Sequence, residues 1–202
     1  MSLHLSKIGP ALAVALLCFV AITAQGQAAP AKWESTRSDN GTRYLTYTST
    51  ATLLGKTVPV SVGFYCDPAP SKNDIHGVIG FDVYVGAVAK LKPFNFDDFE
   101  GPDARTGKLM SVTIHRKGKP ALSYKLAPNG ATPSEGNFVF GIADESRRAN
   151  SDSKTILKAL ADNGESMQIS ITDPRNAKLK LEISVPVADR QTEFKALLVG
   201  LK

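Results

Sequence analysis

The sequence predicts an all-β fold, an antiparallel β-sandwich of about seven or eight strands with one short capping helix and a short C-terminal helix. Three observations carry that expectation. Apolar and polar residues alternate along most of the chain, as in Val58, Val60, Val62, Phe64 and Cys66 against Thr57, Pro59, Ser61, Gly63 and Tyr65. A period of two belongs to a strand with one buried face. The alternating runs are divided by short stretches of Gly, Asn, Asp and Pro, which suit hairpins better than long crossovers. The period lengthens toward that of a helix only around Ile156–Leu160 and Phe194–Leu198.

The first residues are not expected to belong to this fold. Lys7 is followed by a nearly unbroken apolar run, Ile8 to Ile22, and then by the small residues Thr23 and Ala24. That order is a secretory signal's, and the run is short for a membrane span of roughly 20 apolar residues. Residues 1–24 are read as a signal peptide, 25–32 as a flexible leader and 33–202 as one domain. About 175 residues remain after cleavage, enough for a single real core. Removing Lys7 leaves 23 basic residues from 24 against 19 acidic ones, a net charge of +4. That excess is too mild for a nucleic-acid footprint. The expected location is the periplasm or the exterior, with no membrane span left after cleavage. Of the two cysteines, Cys18 leaves with the signal, so Cys66 has no internal partner and stability must come from packing.

Along the chain, Trp33 is expected to anchor the first strand to the core. Ser38 to Gly41 is a turn, and Thr42 to Leu54 a strand with Leu45, Tyr47, Ala51 and Leu53 on one face. Gly55 and Lys56 turn it into the Val58–Cys66 strand, where Pro59 implies an edge or a bulge. Asp67 to Gly77 is a loop. Val78 to about Leu91 is a strand that Pro93 ends, and residues 94–108 form a second loop. Leu109–Arg116 and Ala121–Leu126 make a hairpin about Lys117 and Gly118. Ala127–Gly136 is a loop and Phe138, Phe140 and Ile142 mark a further strand. Ser151 caps a helix through Lys154–Asn163 that plugs one end of the sandwich, with Gly164 terminating it. Met167–Ile171 and Leu179–Val187 are the last strands, and Asp189–Val199 is the closing helix.

Chemistry is sparse. Cys66 with His76 has the residue types of a thiol hydrolase, but Cys66 falls on the buried face of its strand. Cys66, Asp67, Asp74 and His76 have zinc-ligand types without zinc-ligand spacing. Arg116, Lys117 and Lys119 sit at a hairpin tip and Arg147 with Arg148 before the helix, as solvated ends do. No phosphate loop, dinucleotide fingerprint or Gly-x-Ser-x-Gly elbow occurs. No catalytic, metal or cofactor site is therefore expected. The candidate binding site is the loop bearing Phe94, Phe96, Asp97, Asp98, Phe99, Glu100 and Asp103, because exposed aromatics interleaved with charge make docking patches.

The C-terminal third carries a helix around Ile156-Leu157-Lys158-Ala159-Leu160 ending at Gly164, two strands, and a last element with Phe194, Ala196 and Leu197. This order resembles the closing segment of the invasion-associated locus B family of bacterial envelope proteins. Trp33, followed by a strand ending in Cys66, is similar to the VasI-type accessory proteins of the type VI secretion system. Both resemblances imply an exported, β-rich, non-enzymatic protein. A disulfide shared by those families has no counterpart here, since Cys66 lacks a partner.

The expected function is protein–protein binding at the bacterial envelope, associated with virulence or secretion. Two alternatives stand beside it. One is an inhibitor of a lytic enzyme or protease that inserts Phe94–Asp103 into a foreign cleft. The other is a Cys- or metal-dependent hydrolase.

Overall fold

The computed structural model describes residues 31–39, 41–67, 77–101, 104, 107–145 and 151–199. Residues 1–30, Asp74, His76, Asp103, Arg147 and Arg148 lie outside the described residues, and the end of the expected leader is corrected, since Lys32 already pairs in the first strand. The chain is all-β with two helices, as expected, and its strands are antiparallel. They run in chain order as β1 (Lys32–Arg37), β2 (Arg43–Leu53), β3 (Lys56–Asp67), β4 (Val78–Val85), β5 (Met110–Arg116), β6 (Lys119–Leu126), β7 (Asn129–Ala131), β8 (Phe138–Glu145), β9 (Gly164–Thr172) and β10 (Lys180–Pro186). Helix α1 spans Asp152–Asn163, between β8 and β9, and α2 spans Gln191–Leu198.

The layers of the expected sandwich are joined. All ten strands belong to one curled sheet in the order β6-β5-β9-β10-β2-β3-β4-β8-β7, with β1 on β2. The curl is visible in what α1 touches. It packs against β5 and β9 from one part of the sheet and against β4 and β8 from the other, while α2 covers β2 and β3. The helices thus fill the hollow of the sheet, and α1 is a filling more than an end plug. Its apolar face, Ile156, Leu157 and Leu160, is fully buried there. Ser151 caps it by accepting a hydrogen bond from the Lys154 N–H at 3.2 Å, and Asp144 of β8 accepts one from the Ser153 N–H at 3.0 Å.

The predicted inward positions are the core. Val58, Val60, Val62, Phe64 and Cys66 of β3 lie beside Ile79, Phe81, Val83 and Val85 of β4, all at or below 2% exposure. Trp33 anchors β1 as expected: its ring lies 5.1 Å from Tyr47 and 6.0 Å from Phe194, and its Nε1 donates to the Pro186 carbonyl. Pro59 is not at a bulge, but it stands at a local edge of the inner strand β3, where pairing with β4 has ended. Its carbonyl accepts the Gly86 N–H just past the last β3–β4 pair, Val60 and Val85. In an antiparallel ladder a residue's N and C=O point the same way, so the missing N–H falls where no partner strand runs.

Several boundaries differ from expectation, two of them for clear local reasons. β4 ends at Val85, not near Leu91, because Ala87 turns left-handed at φ 52° and starts a short 3-10 turn over Val88–Leu91. Gly164 ends α1 without left-handed backbone, at φ −62°, and passes straight into β9. A Cβ there would come within 3.0 Å of the Leu160 carbonyl, so close approach explains this glycine.

Candidate functional site

The acidic aromatic loop folds inward, which corrects the expectation of exposed rings. Phe94, Phe96 and Phe99 are 6%, 7% and 3% exposed. Phe96 lies 5.1 Å from Phe138, and Phe99 meets Phe140 edge-on at 4.9 Å. The rings cover the β8 end of the hollow, where the sheet would otherwise expose its own phenylalanines. Their approach is close enough that a Cβ on Gly130 would stand 2.5 Å from the Phe138 ring and 2.7 Å from the Phe99 Cβ.

The acids of the loop mostly fasten it. Arg175, in the turn after β9, grips Asp98 with two parallel hydrogen bonds, Nε to Oδ2 at 2.8 Å and Nη2 to Oδ1 at 2.5 Å. Glu100 takes the Thr132 N–H and hydroxyl, while its backbone bridges to Gly130 and closes the edge of β7. The strongest tether was not foreseen. Asp173 is 1% exposed and accepts from the Asn95 N–H (2.6 Å), the Asn95 side-chain amide (2.9 Å) and the N–H groups of Arg175 and Asn176 (2.8 Å each). Asp97 remains exposed.

Cys66 sits in the core at 1% exposure, and burial pushes its thiol up from the ordinary value. A thiol so placed is a poor nucleophile. His115 faces the other side of the sheet, on β5 beside Ser166 of β9. Among the described residues no group of His, Cys, Asp and Glu converges as a metal site would. No described helix is long and apolar enough to cross a membrane.

A different region has the composition of a contact surface. The outward positions of β2, β3, β4 and β8 carry Tyr44, Thr46, Thr48, Ser61, Gly63, Tyr65, Gly80, Asp82, Tyr84 and Gly141. Asp67 and Asp82 supply the charge among the described side chains of that face on β3 and β4. Sheet faces held in water ordinarily alternate Lys and Glu with the core positions. This one is built of Tyr, Ser, Thr and Gly, a mixture that gives large contact area with little conformational cost.

Asp82 stands at its middle, between Gly63 of β3 and Gly141 of β8. Its carboxylate accepts no hydrogen bond among the described residues, and burial raises its pKa from 3.8 to about 7. The glycines around it differ. A Cβ on Gly80 would meet the Ile142 carbonyl at 2.4 Å and the Tyr65 hydroxyl at 2.7 Å, and one on Gly141 would stand 3.0 Å from Asp82 Oδ1. Internal packing therefore demands Gly80, whereas at Gly141 the Asp82 carboxyl would have to shift. A Cβ on Gly63 would meet only Thr46 Oγ1, at 3.7 Å, so room is left beside the carboxyl. Tyr65 lies over Gly80, with its hydroxyl held well above the usual range by burial, then by Asp82 and Tyr44. Sequence reasoning missed this face. Its signal was the lack of Lys and Glu at the outward positions of the cleanest alternation.

No family model, curated protein or solved structure matches the chain.

Proposed function

We propose that this is an exported bacterial envelope protein that acts by binding another protein, through the outer face of β2, β3, β4 and β8. The observation that carries the reading is that face itself: tyrosines and hydroxyls around one carboxyl, Asp82, that has no hydrogen-bond partner among the described residues, with room beside it for a side-chain atom at Gly63. Tyr44 and Tyr65 already lean together at 6.3 Å, forming a broad amphipathic platform. A partner seated there would bury apolar ring area and bring hydrogen bonds to Asp82. Export rests on the N-terminal charge and apolar pattern alone. Catalysis is disfavoured because the one nucleophile that the sequence offered, Cys66, is sealed in the core. The inhibitor reading has lost its wedge, since Phe94, Phe96 and Phe99 are not available to enter a foreign cleft.

The test is site-specific photo-crosslinking in intact cells, after fractionation has shown whether the chain reaches the periplasm. A photoreactive residue at Thr46 or Thr48 should yield one discrete adduct, and one at Asp97 should yield none. Adducts from Asp97 alone would return the contact to the loop and overturn the assignment of the outer face.

A further inference from the structure

Among the described residues, the outer edge of β1 is unpaired. Lys32–Arg37 pairs with Arg43–Thr48 of β2 on one side, and among the described residues no strand pairs with the other. The sheet's remaining ends are blunted. Glu100 closes the β7 edge, and β6 carries Pro120, a residue that discourages strand addition. β1 has no proline and no bulge, and five of its six residues are exposed.

The chemistry beside that edge leans positive: Lys32 and Glu34 pair with each other, which leaves Arg37 as the unpaired charge of β1 among the described residues. Arg37 and Arg43 lie directly opposite each other across the β1–β2 pair. Like charges in that position repel. Arg43 spends one N–H on the Ala196 carbonyl at the end of α2, and Arg37 has no hydrogen bond or ion pair among the described residues. Both line a cleft of about 300 Å³ between β1, β2 and α2. Glu193 lines it too, but its carboxylate is held by Arg190 at 2.9 Å. The cleft therefore keeps uncompensated positive charge beside a row of unused backbone donors and acceptors.

We propose that the β1 edge takes an extended, acidic peptide segment of a partner protein, which adds a strand to the sheet and seats a carboxylate between Arg37 and Arg43. Main-chain pairing supplies the register and the arginine pair supplies the selectivity. The anion relieves the repulsion already present across β1 and β2. This interface is separate from the outer face, and neither needs the other.

A displayed library of random decapeptides, panned on the purified mature chain, tests it. Selected peptides should share an Asp or Glu at one position of an alternating pattern. A synthetic copy of the best one should slow hydrogen exchange at amides within Lys32–Arg37 of the unmodified protein. Arg37→Glu should weaken its binding by about tenfold or more, the scale of one charge-assisted hydrogen bond, and Arg37→Gln by less. The proposal is overturned by a library that yields no binder, by binders without an acid, or by protection elsewhere in the sheet. It is equally overturned if the β1 amides are already protected without peptide. Loss of that protection on dilution would identify a second copy as the occupant, and loss on deleting Gln25–Pro30 would identify the chain's own leader. The exchange measurement on unmodified protein decides the matter even if the arginine variants fail to fold.

Discussion

The loop from Phe94 to Glu100 concentrates three aromatic rings and three acids in seven residues, whereas the outer face of β2, β3, β4 and β8 spreads its tyrosines and one partnerless acid over four strands. In sequence the loop looks functional and the strands look like scaffold. In space the rings are core and two of the loop's acids, Asp98 and Glu100, are fasteners, while the strands present the open chemistry. The difference is a matter of what each group finds within reach. The phenylalanines lie over Phe138 and Phe140, so burying them removes apolar area from water on both sides. Asp82 has glycine on either flank, and no hydrogen bond reaches its carboxyl among the described residues.

The comparison breaks most easily at Phe99. If its ring belongs to the core, Phe99→Ala should cost about 3–5 kcal/mol of stability, the range for a buried ring lost to a cavity. The denaturation midpoint reads this directly. A loss near zero would mean that the rings spend their time outside, and the loop would regain its claim as a contact surface. Asp173 comes next. Asp173→Ala strands the N–H groups of Asn95, Arg175 and Asn176, and the expected cost is about 2–3 kcal/mol, because parts of that cluster can reach water. Hydrogen exchange should locate the damage: amides in the loop from Phe94 to Glu100 should speed up, while those of β3 and β4 stay protected. Uniform acceleration would show that Asp173 supports the whole sheet and not the loop.

How much was legible in the sequence divides along the same line. The inward faces of β3, β4, β9 and β10 follow from period two alone, since each strand has one wet and one dry side. Trp33 and the helix capped by Ser151 follow from local chemistry. The joining of the strands into one sheet does not, because it depends on β9 and β10 pairing with β5 and β2, residues far apart in the chain. β7 falls inside the loop expected over Ala127–Gly136, because three residues are too few to show a period. The fate of the loop was unreadable for a related reason. Alternating Phe and Asp fits an exposed patch as well as a buried row with a charged rim, and only Asp173 and Arg175, some eighty residues on, choose between them.

Asp82 supplies the smallest effect and the sharpest one, because pH turns it on. Its carboxyl titrates at about 7 in the folded chain against 3.8 for the ordinary group, as burial without a donor penalises the charge. The folded state therefore holds this proton more tightly than the unfolded state. The contribution to stability is fully present below pH 4, falls as pH rises, and is gone above pH 7. Asp82→Asn removes the ionisation and keeps the shape. The variant should match the natural protein near pH 4 and exceed it above pH 7, by about 1–2 kcal/mol once water at a half-buried face is allowed for. Urea midpoints across that range measure the gap. A gap of constant size would mean that Asp82 acts through shape and not charge, and a gap of opposite sign would mean that a donor reaches it. In either case Asp82 would stop being the partnerless centre of the outer face, and the contrast with the well-fastened acids of the loop would close.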